Sequence, residues 1–166
     1  CEIVPQTYPE LLGAQDACGC GMGGVWFPAS QQLQSRPPSP SATNETHVDP
    51  DSCSPLASSK DEGPILWRAR FEPDVVQDLV SFDNRSGQVT NSDLELAATI
   101  AQHDVAAHHY DVRERTMSSG SDNTPAVAWQ RKGSTTTSSA PACLLRLQTL
   151  HQRFHRYFSS IFYMPG

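Results

Sequence analysis

A segment rich in proline and serine, residues 28–64, is the feature that most constrains what this chain can fold into. It holds seven of the thirteen prolines and shows no apolar periodicity. Such a segment cannot bury enough apolar surface to offset the entropy lost on ordering it. We therefore expect a disordered insertion there. The remaining residues are enough for one domain and too few for two. We therefore predict a single domain over residues 1–166 that contains this insertion.

Strand signals lie on both sides of the insertion. Residues 15–27 predict one strand, because several glycines that permit close backbone approach precede the bulky, β-favouring residues Val25, Trp26 and Phe27. Alternate residues of 65–71 fall on two faces: both arginines lie on one face, and the other face is entirely apolar. This pattern is typical of a half-buried strand. Residues 75–82 are apolar and fit either a strand or a loop. The strands predicted are residues 15–27, 65–71, 112–118 and 161–164.

Helix signals occupy the second half of the chain. The first helix is predicted to begin at Ser92 as N-cap, with Glu95 at the capping-box position. The second has Thr124 as N-cap and Pro125 in its first position, and Gly133 ends it. The apolar residues that recur at helical spacing in the first helix are Leu94, Ala97, Ala98, Ala101 and Val105.

A third helix is predicted over residues 141–156. Its apolar residues on one face are Cys143, Leu147, Leu150 and Phe154. The order of strands and helices along the chain predicts an α/β domain, a mixed sheet with helices across it.

Three acids fall at informative places in this order. Asp16 lies on the first strand, Glu95 in the first long helix, and Asp122 at the end of the strand that follows. In such a layout they can converge at one edge of the sheet. Each alone also has a structural reading, as a turn residue, a capping-box partner or a helix cap. Asp93, two residues before Glu95, is the alternative metal ligand on this helix.

The charge is unevenly distributed along the chain. Residues 1–111 carry 16 acids and 5 bases, whereas residues 112–166 carry 7 bases and 2 acids, within a net charge of −6. A basic face in the second part could meet phosphates despite the acidic total, although solvated helix surface explains each basic residue alone. The basic residues concerned are Arg113, Arg115, Arg131, Lys132, Arg146, Arg153 and Arg156.

Other chemistries find little support. The five cysteines form no CxxC pair, which argues against both a zinc knuckle and a disulfide framework. The histidines are expected at the surface, and the nucleophile-elbow pattern G-x-S-x-G is absent. No apolar run of about 18 residues and no leader are seen, so we expect no membrane partner and an intracellular protein, cytoplasmic or nuclear.

The segments around the three acids carry a family resemblance. Residues 16–27, 91–98 and 121–129 resemble, in order and spacing, the successive signatures of the ribonuclease H fold. The variant that they resemble is the one attached to reverse transcriptases of retroelements, particularly tyrosine-recombinase (DIRS-like) retrotransposons. Residues 158–166 resemble that family's strand ending in Pro-Gly. The resemblance implies a ribonuclease H-like mixed sheet flanked by helices.

The resemblance also implies a function. Asp16, Glu95 and Asp122 would be the catalytic, Mg²⁺- or Mn²⁺-binding carboxylates of a nuclease that cuts the RNA strand of RNA–DNA hybrids. A reverse transcriptase domain in the parent polyprotein would be its partner. We further predict nucleic-acid contacts by Asn123, Arg131 and Lys132.

One family feature has no counterpart in this chain. The family's fourth acid lies in a helix after the last strand, and the chain stops at Gly166. The resemblance implies two metal ions, so we expect a C-terminally truncated domain that holds one ion well and the second poorly, and that cleaves inefficiently. The alternative is a non-catalytic ribonuclease H-fold remnant that acts as a structural or nucleic-acid-binding module.

Overall fold

One mixed sheet carries the fold in the computed structural model, which describes residues 8–29, 63–136 and 139–166. Residues 30–62 of the insertion predicted at 28–64 lie outside the described residues. In chain order the elements are β1 (Leu11–Cys18), β2 (Gly21–Pro28), β3 (Ile65–Arg70), α1 (Pro73–Gln77), α2 (Asn91–His109), β4 (Thr116–Ser121), α3 (Thr124–Lys132), α4 (Ser139–His155) and β5 (Phe158–Tyr163).

The sheet has the order β3-β2-β1-β4-β5. Strands β1, β2 and β3 pair antiparallel, whereas β1, β4 and β5 pair parallel. The mixed sheet flanked by helices that was predicted from the sequence is the observed architecture. In the part of the chain that the structure describes, no helix is both long and apolar enough to cross a membrane.

The single strand predicted over residues 15–27 is wrong, because a turn at Gly19 and Cys20 divides it into the hairpin β1–β2. A two-residue connection is the usual way to join neighbouring antiparallel strands. The first strand starts earlier than predicted, at Leu11, so Asp16 lies near its end instead of opening it.

The start of α2 also differs from the prediction. Thr90, not Ser92, is the N-cap, and Asp93 occupies the N3 position of the capping box. Asp93 Oδ2 accepts from the Thr90 backbone N–H at 2.8 Å, and Thr90 Oγ1 accepts from the Asp93 N–H at 3.3 Å. Because Asp93 satisfies the cap, Glu95 is not a capping-box partner and its side chain is available to the sheet.

Residues 75–82, for which the sequence left a strand or a loop open, are neither a continuous strand nor entirely a loop. They begin within the short helix α1, which has Pro73 at its first position, and continue to an isolated bridge between Leu79 and Val89. Proline favours that position because its missing N–H is not needed there. The strand predicted at residues 112–118 starts later, at Thr116, because the chain turns at Glu114, whose φ is 61°.

The ends of α3 are close to the prediction. Asn123 is the N-cap, one residue before the predicted Thr124, and its Oδ1 accepts from the Ala126 N–H at 3.0 Å. Gly133 ends the helix as predicted, with a left-handed φ of 64° that glycine adopts without a steric penalty.

The apolar face predicted on α4 is turned to solvent. Leu147, Leu150 and Phe154 are 52%, 57% and 81% exposed. The helix instead buries Leu145 and Gln148. Leu145 packs with Leu96 and Ala126, and the Gln148 amide donates to Gln130 Oε1 of α3 at 3.1 Å, so an apolar and a polar contact together fix the rotation of α4.

Helix α2 lies at the centre of the packing. Its C-terminal half joins Leu11 and Trp26 in the largest apolar cluster, and its first half packs Leu94 and Ala98 on Ala17 of β1. A third cluster consists of one residue from each of three helices, Leu96 of α2, Ala126 of α3 and Leu145 of α4. Since α2 contributes to all three clusters, this packing holds the helix against the sheet.

Candidate metal centre

The three acids selected from the sequence lie together. Asp16, Glu95 and Asp122 each offer a carboxylate oxygen, and these atoms all lie within 4.8 Å of one another. Parallel strands β1 and β4 pair with Ala14 opposite Gly120, so Asp16 and Asp122 follow at the same level two residues later. Glu95 reaches them from the second turn of α2.

Glu95 is the buried member of the group, with 1% of its surface exposed. Its Oε1 accepts from the Ala17 backbone N–H at 3.1 Å, and its Oε2 has no hydrogen-bond partner among the described residues. The pKa of Glu95 is raised to about 7, chiefly because the side chain is buried; the Ala17 hydrogen bond opposes this rise, and the nearby charges of Asp16 and Asp122 contribute to it.

These features fit a divalent cation. A buried oxygen without a partner and three carboxylates close together are both unfavourable unless a positive charge neutralises them. Asp16 and Asp122 are exposed, so the group is open to solvent on that side. Carboxylate oxygens are the ligands that Mg²⁺ and Mn²⁺ prefer. The ligand role of the three residues stays a prediction.

A buried network of polar side chains lies next to the three acids. Gln15 Nε2 donates to Thr99 Oγ1 at 2.8 Å, and Ser119 Oγ donates to Gln15 Oε1 at 2.7 Å. The Thr99 hydroxyl also lies 3.1 Å from the backbone oxygen of Glu95, to which it donates. The network therefore joins β1, β4 and α2, the three elements that carry or adjoin the carboxylates. The sequence interpretation missed it, although Gln15 next to Asp16 on a strand was a visible signal.

The three residues predicted to contact nucleic acid lie at different distances from the carboxylates. Asn123 follows Asp122 directly, and its side chain caps α3. Arg131 and Lys132 are exposed in the last turn of that helix, roughly 12 Å further along its axis. Arg131 Nε donates to the backbone oxygen of Ile161 at 3.2 Å. The structure thus brings Asn123 to the carboxylates and leaves the two basic residues at the other end of α3.

An open groove of about 640 Å³ adjoins the carboxylates, and its lining includes Asp16, Met22, Arg70 and Phe71. Arg70 belongs to the acidic part of the chain, so the sequence interpretation did not consider it. Cys18 and Cys20 line the groove too. Both are exposed, with their Sγ atoms 3.3 Å apart.

Comparisons with known proteins add little to this geometry. No family model and no curated protein matches the chain. Among solved structures, RNase H1 from the halophilic archaeon Halobacterium salinarum NRC-1 is similar, with 12% sequence identity and a TM-score of 0.49, over 93% of this chain and 85% of that one. At this identity and score the likeness carries no argument about activity. A function must be inferred from the site itself.

Proposed function

We propose that this protein is a metal-dependent nuclease that hydrolyses the RNA strand of RNA–DNA hybrids. The observation that carries the proposal is the convergence of Asp16, Glu95 and Asp122 where the adjacent strands β1 and β4 end, on a side that is open to solvent. The order of the motifs along the chain, which resembles that of retroelement ribonuclease H domains, supports the substrate class. On the same ground we propose an intracellular setting with a reverse transcriptase domain as partner.

The side chains have distinct tasks in this reaction. Asp16 and Asp122 would present their exposed oxygens to the cation, and Glu95 would hold it from the buried side with the oxygen that the Ala17 N–H leaves free. A bound Mg²⁺ or Mn²⁺ supplies the chemistry, because it lowers the pKa of a bound water and stabilises charge that develops on the phosphodiester. The Gln15 network would keep the acids in register while the substrate binds.

The groove beside Asp16 gives a path for the hybrid. Arg70 lines it, so one cationic side chain lies where a phosphate would pass. Selection of RNA over DNA would come from contacts to 2′-hydroxyl groups and from the shape of the duplex.

The test is cleavage of an end-labelled RNA–DNA hybrid by excess protein with Mg²⁺ or Mn²⁺, compared with duplex RNA and duplex DNA. We expect cutting of the RNA strand of the hybrid only. Asp122→Asn should reduce the rate at least about a hundredfold, because it removes part of the metal-held charge stabilisation. Asp83→Asn is the matched control, since Asp83 is exposed and is not a member of this carboxylate cluster.

Two outcomes would overturn the proposal. Cleavage that persists at full rate in Asp122→Asn would show that another protein or another site cuts. Tight binding of the hybrid by the folded chain without any cutting, in both metals, would assign the non-catalytic nucleic-acid-binding module.

A further inference from the structure

A second group of metal-ligating side chains lies between α2 and α4. Asp104, His151 and His155 each offer one ligand atom, and these atoms lie within 4.8 Å of one another. Asp104 follows Glu95 by nine residues on α2, which is about 14 Å along the helix axis. The group is therefore separate from the carboxylates of the candidate metal centre.

The two histidines come from one face of α4. They are four residues apart, so the helix places them one turn from each other on the same side. Their ring centroids are 4.3 Å apart. His151 Nε2 lies 3.1 Å from Asp104 Oδ1 of α2, and the side chain of His151 is only 13% exposed. The two helices thus converge on one small volume with three ligand atoms.

His151 also has the supporting contact that ligating histidines usually show. Its Nδ1 lies 2.8 Å from the hydroxyl oxygen of Tyr157. With a proton on Nδ1, the ring would donate to that oxygen and leave the lone pair of Nε2 for a metal. Such a hydrogen bond fixes both the tautomer and the orientation of a metal-bound imidazole.

We propose that Asp104, His151 and His155 form a Zn²⁺ site that ties the end of α4 to α2. Two imidazoles and one carboxylate suit Zn²⁺, whereas Mg²⁺ prefers oxygen ligands alone. Water would take the fourth position. His108 is close enough to compete for it after a change of rotamer, since its Nδ1 lies 3.6 Å from Asp104 Oδ1.

The sequence carries a signal for this site, His151-Gln-Arg-Phe-His155, which is a HxxxH spacing. The expectation that the histidines are surface residues did not use it. The structure adds what the spacing alone lacks, namely a carboxylate from a different helix at the same place.

The experiment is a titration of the 166-residue protein with Zn²⁺ alone, by calorimetry and by displacement of bound Co²⁺, whose visible spectrum reports its ligands. A Cys18→Ser/Cys20→Ser background removes the exposed thiol pair as a competing site. We expect His155→Gln and Asp104→Asn each to weaken this binding at least about tenfold. His109→Gln is the matched control, because His109 is an exposed histidine on α2 outside the cluster.

Thermal unfolding supplies a second reading. Equimolar Zn²⁺ should raise the unfolding midpoint of the background protein and of His109→Gln, and should leave Asp104→Asn unchanged. The proposal is overturned if Zn²⁺ binds both Asp104→Asn and His155→Gln as tightly as the background protein, or if the background protein binds none. In that case the cluster is only an ion pair between Asp104 and His151.

Discussion

At the scale of single residues, Glu95 decides whether the acids form a cation site. It is buried, one of its oxygens has no partner among the described residues, and its nearest charged neighbours are also acids. A residue chosen for stability alone would avoid that setting. Perturbed, unfavourably placed ionisable groups are typical of functional sites.

The first prediction concerns Glu95→Gln in a buffer with a chelator. Because the pKa of Glu95 is raised to about 7, its contribution to stability is present below pH 4.5 and is lost as the pH rises through 7. Glutamine keeps an oxygen for the Ala17 N–H without the charge. At pH 8 we expect Glu95→Gln to raise the free energy of unfolding by about 2 kcal/mol, with allowance for solvent screening.

Urea unfolding at pH 5 and pH 8 checks this. The difference between the two proteins should shrink toward zero at pH 5, where Glu95 in the folded protein is protonated. Equal differences at both pH values, or destabilisation by Glu95→Gln at pH 8, would contradict the account of this residue.

The second prediction concerns His103, which is fully buried although the histidines were expected at the surface. Its ring stacks on Tyr157 and meets the edge of Trp26. Its pKa is lowered to about 4, chiefly because the ring is buried; the hydrogen bond with the backbone oxygen of Thr99 opposes this fall, and the neighbouring His151 contributes to it. The unfolded chain therefore binds the proton first, and stability is lost as the pH falls from 6.5 to 4.

The comparison of wild type with His103→Leu isolates this effect from other acids and histidines. The free energy of unfolding of the wild type relative to the variant should fall by about 3 kcal/mol between pH 7 and pH 4. Chemical unfolding without metal measures it. A difference that does not depend on pH would show that His103 is protonated or exposed in the folded protein.

At the scale of elements, α2 contacts β1 through Gln102, whose Nε2 donates to the backbone oxygen of Ala14 at 3.3 Å. Gln102 of α2 donates to the backbone oxygen of Val25 at 2.8 Å and accepts from the indole N–H of Trp67. These bonds place the Gln102 amide against Gly13, so a side chain at position 13 would collide with the amide. The glycine therefore sets how near α2 lies to the sheet, and with it how near Glu95 lies to Asp16.

Gly13→Ala tests that contact. An added Cβ would lie 2.5 Å from Gln102 Nε2, 2.6 Å from Trp26 Cε3 and 2.7 Å from the backbone oxygen of Val25. We expect a loss of about 2 to 3 kcal/mol in the free energy of unfolding, because helix or strand must move apart. Gly63→Ala is the control, since nothing lies within 4 Å of its added Cβ. Equal stability of the two variants would contradict the close packing.

The elements also show what the sequence can and cannot predict. Gly133 as the end of a helix follows from local chemistry, and it was predicted correctly. The rotation of α4 was not, because Gln148 is satisfied by Gln130 and turns inward, while Leu150 and Phe154 face solvent. A polar network between residues far apart in the chain leaves no periodic trace in the sequence.

At the scale of the whole molecule, the basic excess of the second part is partly neutralised. Arg115 Nε lies 3.6 Å from Glu10 Oε2, an acid of the first part of the chain. Such a pair near the surface contributes little to stability, but it reduces the positive field that residues 112–166 alone would present. Arg70, from the acidic part of the chain, lines the same groove as Asp16.

The two candidate metal sites of the molecule differ in the type of ligand that they offer. Oxygen ligands gather where β1 and β4 end, and imidazole ligands gather between α2 and α4. Mn²⁺ and Zn²⁺ should therefore distinguish the sites, since hard oxygen ligands and imidazoles favour different ions. Variants of one site should leave the other unchanged.

The central claim, that Asp16, Glu95 and Asp122 hold a divalent cation, is tested most directly by Mn²⁺ binding. Calorimetry at pH 7.5 would compare the wild type with Asp16→Asn, Glu95→Gln and Asp122→Asn, with Asp83→Asn and His155→Gln as controls. We expect each of the three variants to weaken Mn²⁺ binding at least about tenfold and the controls to match the wild type. Wild-type affinity in all three variants would contradict the claim.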